Sequence, residues 1–344
     1  MTATWAPVSH GYPNIREDPV RFLPGRLHAR GVVIAQAMPV LRQLRLLDAV
    51  MVHQLEVQPL LLLARALKRG PLVIAAQDNP PLLSEAGFPQ GHPEWTQKSP
   101  IRRYMRGRLD VAIARRTPLH VTFSEWQRQI LIKCAGIART RVKTIHTGLD
   151  LELWPRVNQS KNGSKPLILY VSSDFKLKGG EVLLRLFRER LSHKAKLLIV
   201  TRTKLGDLGT DIEVYNGLEH NSPKLRSLFA DADILALPTP ADFLPWVVLE
   251  ALASSTSVVA FETGGIADIV RPGENGFLAS TNDWAAFTDL LERLVDDRLL
   301  QVKFGQQGRA LVERDFDASL NAPRLIDFIR IALDGSKQAA IISA

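Results

Sequence analysis

The chain has 344 residues, too many for one ordinary domain and enough for two full hydrophobic cores. With 46% apolar residues, 23% charged residues and one cysteine, it is excluded from the disordered, collagen-like and disulfide-stapled classes. The net charge of +9 is uneven: residues 1–154 carry 21 Lys and Arg against 11 Asp and Glu, while residues 155–344 carry 23 against 24.

Residues 1–30 are rich in Pro and Arg and have no clear period. The opening MTATWAP lacks the charged-then-apolar start of a signal peptide, and no apolar run is long enough to span a bilayer. A cytoplasmic chain is expected. Segments 29–37 (ARGVVIAQA), 48–53 (DAVMVH) and 71–76 (PLVIAA) read as buried strands. Helices are expected between them at 39–47 and 59–67. An irregular stretch follows over roughly 77–100, of a length that is often functional. Ser99-Pro100 suits the cap and first residue of a helix from Ile101 to about Arg108. A strand at 119–123, a helix at 125–134 and a strand at 142–145 continue the alternation.

The polar stretch 151–165 (LELWPRVNQSKNGSK) reads as a linker. Strands are then expected at 167–171, 195–200, 212–215, 234–237 and 258–261. Helices are expected at 181–191, 223–230, 246–253 and from 284 to about 295. From 301 onward the pattern is helical, with a break near Ala322-Pro323. This alternation predicts an α/β chain of two Rossmann-like, doubly wound parallel sheets. The divisions are 1–154, 155–318 and a C-terminal helix and tail at 319–344, the helix returning toward the first domain.

Three strand-to-helix turns carry chemistry. In LPTPADFLPWVVLEALA (237–253), a strand ends, a loop carries Asp242, and Pro245 stands where the first helical turn should begin. Free amides and the positive helix end near Phe243–Trp246 suit a diphosphate. Glu250 falls within an apolar run, so a ligand hydroxyl or solvent in a cleft must compensate its charge. In YVSSDFKLKGGEVLL (170–184), Lys176 and Lys178 sit beside glycines where a phosphate can approach the backbone. In FETGGIADIVRPGENGFL (261–278), Thr263-Gly264-Gly265 follows a strand and precedes a helix, so its amides can approach a ligand, while Pro272-Gly273 and Asn275-Gly276 read as turns. Solvated loop lysines and an ordinary helix-end acid are the bland alternatives.

Together these segments resemble the retaining glycosyltransferases of family 4, also called group 1, which have the GT-B fold. The resemblance rests on Asp242 and Glu250 eight positions apart, on Lys178-Gly179, and on Gly264-Gly265 before Asp268-Ile269-Val270. His146-Thr147-Gly148-Leu149-Asp150 with Trp154-Pro155, and the segment DAVMVHQ, extend it. It implies two Rossmann-like domains facing a cleft, and transfer of a hexosyl unit from a nucleotide diphosphate sugar without a bound metal. Glu250 would then bind the ribose, Asp242 the transferred sugar, and Lys178 the diphosphate. Phe243, Leu244, Gly264 and Gly265 would complete the donor site through their backbone, and Gly217-Leu218 would flank the base. The implied acceptor is a growing glycan, as in surface polysaccharide or glycolipid assembly, or one that is lipid-linked.

The chain departs from that pattern at four places. Ser173 stands for an Arg that shares the diphosphate, with Lys176 as a substitute; Gln77 stands for a His near the reacting sugar; no N-terminal strand precedes a Gly-Gly turn; and the first acid is Asp. Two further readings stay open, a degenerate homologue that binds sugar nucleotide or a partner, and a sugar-nucleotide epimerase. No metal-ligand spacing and no zinc, homeodomain or RNA-stacking signature occurs, so neither metal nor nucleic acid is expected. Residues 98–116 place seven basic residues among Ile101, Tyr104, Met105 and Leu109 at helical spacing. Peripheral contact with an anionic membrane is one reading of that pattern, and a solvated helix face is the other. His53, Trp5 and Trp95 read as packing residues and Cys134 as a small buried one.

Overall fold

The computed structural model describes residues 49–52, 72–77, 100–154 and 165–342. The elements expected at 29–37, 39–47 and 59–67, the stretch 78–99, the linker beyond Trp154, His53, Trp5, Trp95 and the Gln77 side chain lie outside the described residues. The chain divides into two units: one runs to Thr147 and resumes at Ser319, the other spans Gly148–Ala318. The crossing falls ahead of the polar stretch because residues 148–154 belong to the second unit. Leu149 N–H donates to Phe316 O at 2.8 Å, and the Trp154 ring meets Phe229 edge-on at 5.6 Å.

The first unit holds a parallel sheet in chain order: β1 (Ala49–Val52), β2 (Leu72–Gln77), β3 (Leu119–Thr122) and β4 (Val142–Thr144). Helix α1 (Pro100–Arg116) precedes β3, and α2 (Glu125–Lys133) joins β3 to β4. The chain enters α2 through a reciprocal cap: Gln127 N–H donates to the Ser124 hydroxyl, and the Gln127 side chain accepts from the Ser124 amide. Cys134 closes α2 and is half-buried rather than buried. Against the sheet, α1 and α2 bury Val111, Ala114, Leu131 and Ala135. His120 is buried on β3, where its Nε2 donates to Ala114 O at 2.9 Å, and burial pushes its pKa down to about 4.

Among the described residues, the second unit contains six parallel strands: β5 (Leu167–Ser172), β6 (Lys196–Thr201), β7 (Ile212–Asn216), β8 (Ile234–Leu237), β9 (Ser257–Glu262) and β10 (Gly276–Ser280). Their order is β10-β9-β8-β5-β6-β7. Counted within the unit from β7, this is the doubly wound order 3-2-1-4-5-6. The helices are α3 (Gly180–Leu186, widening into a π turn at Phe187–Leu191), α4 (Pro223–Asp231), α5 (Trp246–Ala253), α6 (Ile266–Ile269), α7 (Trp284–Asp296) and α8 (Arg298–Asp315). Strands buried on both faces read as apolar runs, as in ILAL of β8, whose four residues are all buried. Phe261 of β9 anchors one layer, with Trp284 and Phe287 of α7 edge-on at 4.9 and 5.3 Å.

Helix α9 (Ala318–Ile342) belongs to the first unit, where Leu325, Phe328 and Ile329 pack on Leu72, Ile74, Val121 and Ile145. The expected break at Ala322-Pro323 is absent, because Pro323 lies inside α9. The chain turns instead at Phe316–Asp317, where Ala318 N–H donates to Leu149 O at 2.9 Å and Leu149 pairs with Asp317. The helix expected after Gly264-Gly265 is the short α6; β10 was not expected from the sequence, and α1 runs on to Arg116.

Candidate functional site

In a 3-2-1-4-5-6 sheet the connections leaving β5 and β8 go to opposite faces, which opens a crevice at the carboxyl ends of those two strands. Both loops at that point carry residues singled out by the sequence. After β5, Asp174 Oδ1 accepts from Leu177 N–H at 2.9 Å, and Phe175 O accepts from Gly180 N–H at 2.7 Å, which curls the loop. The curl sends Lys178 across to the β8 loop. There its Nζ donates to Asp242 Oδ2 at 2.7 Å and to Ala241 O at 2.6 Å. The pair is partly shielded, with side-chain exposures of 26% and 24%, so it is neither a free surface bridge nor a buried one. Gly179 makes the approach possible: a Cβ there would lie 2.4 Å from Pro238 O.

A third loop closes on the second. Gly264 has φ +57°, and a Cβ at this position would sit 1.9 Å from Asp242 O. Gly265 N–H donates to Phe243 O at 2.6 Å, and Phe243 N–H donates to Asp242 Oδ1 at 2.9 Å. The amides of Phe243 and Gly265, expected to face a ligand, are thus spent tying the two loops together. Leu244 is buried ahead of α5. Pro245 is the cap of α5 rather than its first helical residue, with ψ 117°, and its carbonyl accepts from Val248 N–H at 3.1 Å. Lys176 and Ser173 are exposed on the β5 loop.

Glu250 lies one turn into α5, among buried Val248, Leu249, Ala251 and Leu252. It is 1% exposed, and burial pushes its pKa up to about 8. Its Oε2 has no hydrogen-bond partner among the described residues, and its Oε1 lies 3.7 Å from His220 Nδ1. His220 stands on the loop after β7, downstream of exposed Gly217 and half-buried Leu218. Arg226 Nη1 holds that loop by donating to Asn221 O at 2.9 Å and Asn221 Oδ1 at 3.1 Å, with Asn221 at φ 59°. Sequence reading passed over His220, because only the sheet order brings the β7 loop to α5.

Lys178, Asp242, Phe243, Gly264 and Gly265 therefore form one contact set, and Glu250 of α5 with His220 forms a second. The first offers a held cation beside a helix N-terminus, which suits an anionic group. The second offers a desolvated carboxyl able to accept from hydroxyls once it is ionised. No group of three metal-ligating side chains occurs among the described residues.

Residues 155–311 match the family described as glycosyl transferases group 1. D-inositol 3-phosphate glycosyltransferase 1 of Catenulispora acidiphila is 28% identical over 60% of this chain and 56% of its own length. The MMP alpha-(1->4)-mannosyltransferase of Mycolicibacterium hassiacum is 26% identical over 62% of this chain and 54% of its own. The chain thus spans little more than half the length of these curated relatives. Among solved structures, sucrose-phosphate synthase from Thermosynechococcus elongatus superposes with TM-score 0.69, at 18% identity over 84% of this chain and 74% of its own. HepE from Anabaena, in complex with UDP-glucose, gives TM-score 0.66, at 16% identity over 86% of this chain and 81% of its own. The chain shares the GT-B fold class of these neighbours.

Proposed function

We propose that this chain, whose residues 155–311 match the group 1 glycosyl transferase family, is a glycosyltransferase that moves a hexosyl unit from a nucleotide diphosphate sugar to an acceptor hydroxyl with retention at the anomeric carbon. The Lys178–Asp242 contact at the β5/β8 reversal carries this reading, since it sets a cation and a hydroxyl acceptor side by side where such sheets bind ligands. As the bond from the anomeric carbon to the diphosphate oxygen breaks, negative charge grows on the leaving group. The Lys178 ammonium and the positive end of α5 stabilise that charge, so the step proceeds without a bound metal. Asp242 accepts from hydroxyls of the transferred sugar, and Glu250 accepts from the ribose. The acceptor is a growing glycan, lipid-linked or part of a surface polysaccharide, met at the basic first unit.

A thermal-shift screen with UDP, GDP and their sugars identifies the donor, because selective binding raises the unfolding midpoint. Lys178→Ala then lowers transfer by about 10²–10³-fold. If no sugar nucleotide stabilises the protein, or if Lys178→Ala and Glu250→Ala change neither binding nor transfer, the reading is wrong. A second reading, binding without turnover, draws on Ser173, which is exposed and uncharged where the resemblance calls for an Arg. It is distinguished by a donor that binds with no transfer and no hydrolysis. Interconversion of the donor pool in the absence of acceptor, read by NMR, marks an epimerase instead.

A further inference from the structure

The Glu250 carboxyl is poorly served by its surroundings. Its Oε2 is buried with no hydrogen-bond partner among the described residues, and its Oε1 lies 3.7 Å from His220 Nδ1. A carboxyl this deep keeps its proton unless charge and hydrogen bonds to the ionised form offset the lost water. Burial raises its pKa to about 8, so at neutral pH the free chain holds it protonated. The elements packed against α5 bring other charges that are buried or half-buried: Arg226 of α4, Asp268 of α6, and Arg298, Arg309, Glu313 and Asp315 of α8. None of them pairs with Glu250. Arg226 holds Asn221, Arg298 holds Asp233, and Arg309 holds Glu313. His220 follows exposed Glu219 on its own loop, and its side chain is 34% exposed, so an imidazolium there keeps part of its hydration. Among the described residues, only this ring lies where a positive charge can face the Glu250 carboxyl.

We propose that His220 is a positioning residue that takes up the Glu250 proton when a ribose docks, so that the donor meets a carboxylate. The O–H bond of the carboxyl breaks and its electron pair stays on the oxygen. The proton passes to His220 Nδ1, and the net charge of the pair is unchanged. Ribose hydroxyls donate to the ionised carboxyl and weaken its hold on the proton, while the new carboxylate stabilises the imidazolium. Each change favours the other, so the titration belongs to the pair. The loop suits this role because Arg226 braces it through Asn221, the residue next to His220. The inference rests on the ribose contact of Glu250 proposed above.

The test is UDP binding by the full chain from about pH 6.5 to about pH 9.5, with GDP in its place if UDP does not raise the unfolding midpoint. Without an acceptor beside it, Glu250 must release its proton to solvent, and only about one carboxyl in ten is ionised at pH 7. His220→Gln is therefore expected to bind about tenfold more weakly than wild type at about pH 7, with the gap closing toward about pH 9. His220→Lys supplies a fixed cation and brings binding at about pH 7 back to within about threefold of wild type. In the wild type, the nitrogen-15 resonances of the His220 ring move to imidazolium values when UDP is added at about pH 7.5, and Glu250→Gln removes that change. This measurement decides the matter even if His220→Gln does not fold. A gap between wild type and His220→Gln that is the same at every pH overturns the proposal, as does a His220 ring that keeps its charge state on UDP addition. If neither nucleotide binds, or if Glu250→Ala leaves binding unchanged, the ribose contact itself fails and this inference falls with it.

Discussion

Glu250 shows how one side chain can be a cost to the fold and an asset to the site. Its folded-state pKa of about 8 exceeds the usual 4.5, so the native chain holds a proton over that interval which the unfolded chain has already lost. Stability from this group is complete below about pH 4.5 and drains away as pH climbs to about 8. Replacement by Gln keeps the shape and removes the titration. Glu250→Gln is therefore expected to gain on the wild type between pH 5 and 9, by a few kcal/mol at most, in urea unfolding at each pH. Parallel curves would show that the carboxyl titrates normally. On the proposed ribose contact, the same variant should bind donor about tenfold more weakly above about pH 8, where the wild-type carboxyl is ionised and an amide is the poorer acceptor. Gly264 makes the opposite trade, having no side chain and a close fit. Gly264→Ala places a Cβ 1.9 Å from Asp242 O at φ +57°, so the loop carrying Asp242 must move. A loss of about 2 kcal/mol or more is expected in thermal unfolding, with donor affinity falling alongside. Asp242 and Lys178 stood out in the sequence because they sit in strand-to-helix turns with Pro or Gly nearby, and Glu250 because it is a lone carboxylate in an apolar helical run. That Lys178 would be held by Asp242, and that His220 would stand over Glu250, were not legible. Those contacts arise only when β5, β7 and β8 take their places in the sheet.

At the scale of elements, α8 crosses α5 closely because its contact face is nearly bare. A Cβ on Gly305 would lie 2.1 Å from Ser255 O, while a Cβ on Gly308 would lie 2.5 Å from the Leu252 Cδ2 methyl. Arg309 follows on the same helix and is 7% exposed, donating to Trp154 O and, at 2.6 Å, to Ala253 O. The two glycines should therefore respond differently to alanine. Gly308→Ala meets a side-chain tip that can rotate, and it gains about 1 kcal/mol of helix propensity, so its net effect is small. Gly305→Ala meets backbone, and α8 must lift from Ser255 at a cost of about 2–3 kcal/mol. Urea denaturation of both variants checks the order, and equal losses would mean that the helices slide rather than clash. The helix 246–253 and the strands around it were readable because apolar period and turn chemistry agree there. By contrast, β10 was hidden by Asn275-Gly276, which reads as a turn although Gly276 opens a strand. Its pairing with β9, register Gly276 to Val258, brings the backbone so near that a Cβ would lie 2.5 Å from Val258 O. Pro323 misled in the other direction: α9 accommodates it near its start, and the chain breaks where residue 149 pairs with it.

Over the whole molecule, the first unit is discontinuous in sequence, since α9 follows the second unit along the chain and completes the first. Leu325, Phe328 and Ile329 cover Leu72, Ile74, Val121 and Ile145, and Asn321 Nδ2 donates to Thr147 O at 3.4 Å. The second unit's core, from Ile168 to Phe304, contains no residue of α9. A chain ending at Ala318 should therefore damage one unit and spare the other. The exposed sheet face of the first unit would lower or abolish its own thermal transition, while the second unit keeps its transition. A nucleotide present at about 100 times its Kd should still stabilise that surviving transition by about 2.7 kcal/mol, as it does in the full chain. Calorimetry of both chains with and without nucleotide reads this directly. Loss of all cooperative unfolding in the shortened chain would show that the second unit cannot stand alone. Survival of the transition without the nucleotide shift would place part of the donor site on the first unit or on α9. The three strand-end loops around Lys178, Asp242 and Gly264, and Glu250 as well, all lie within residues 148–318, which is why the shift is expected to persist.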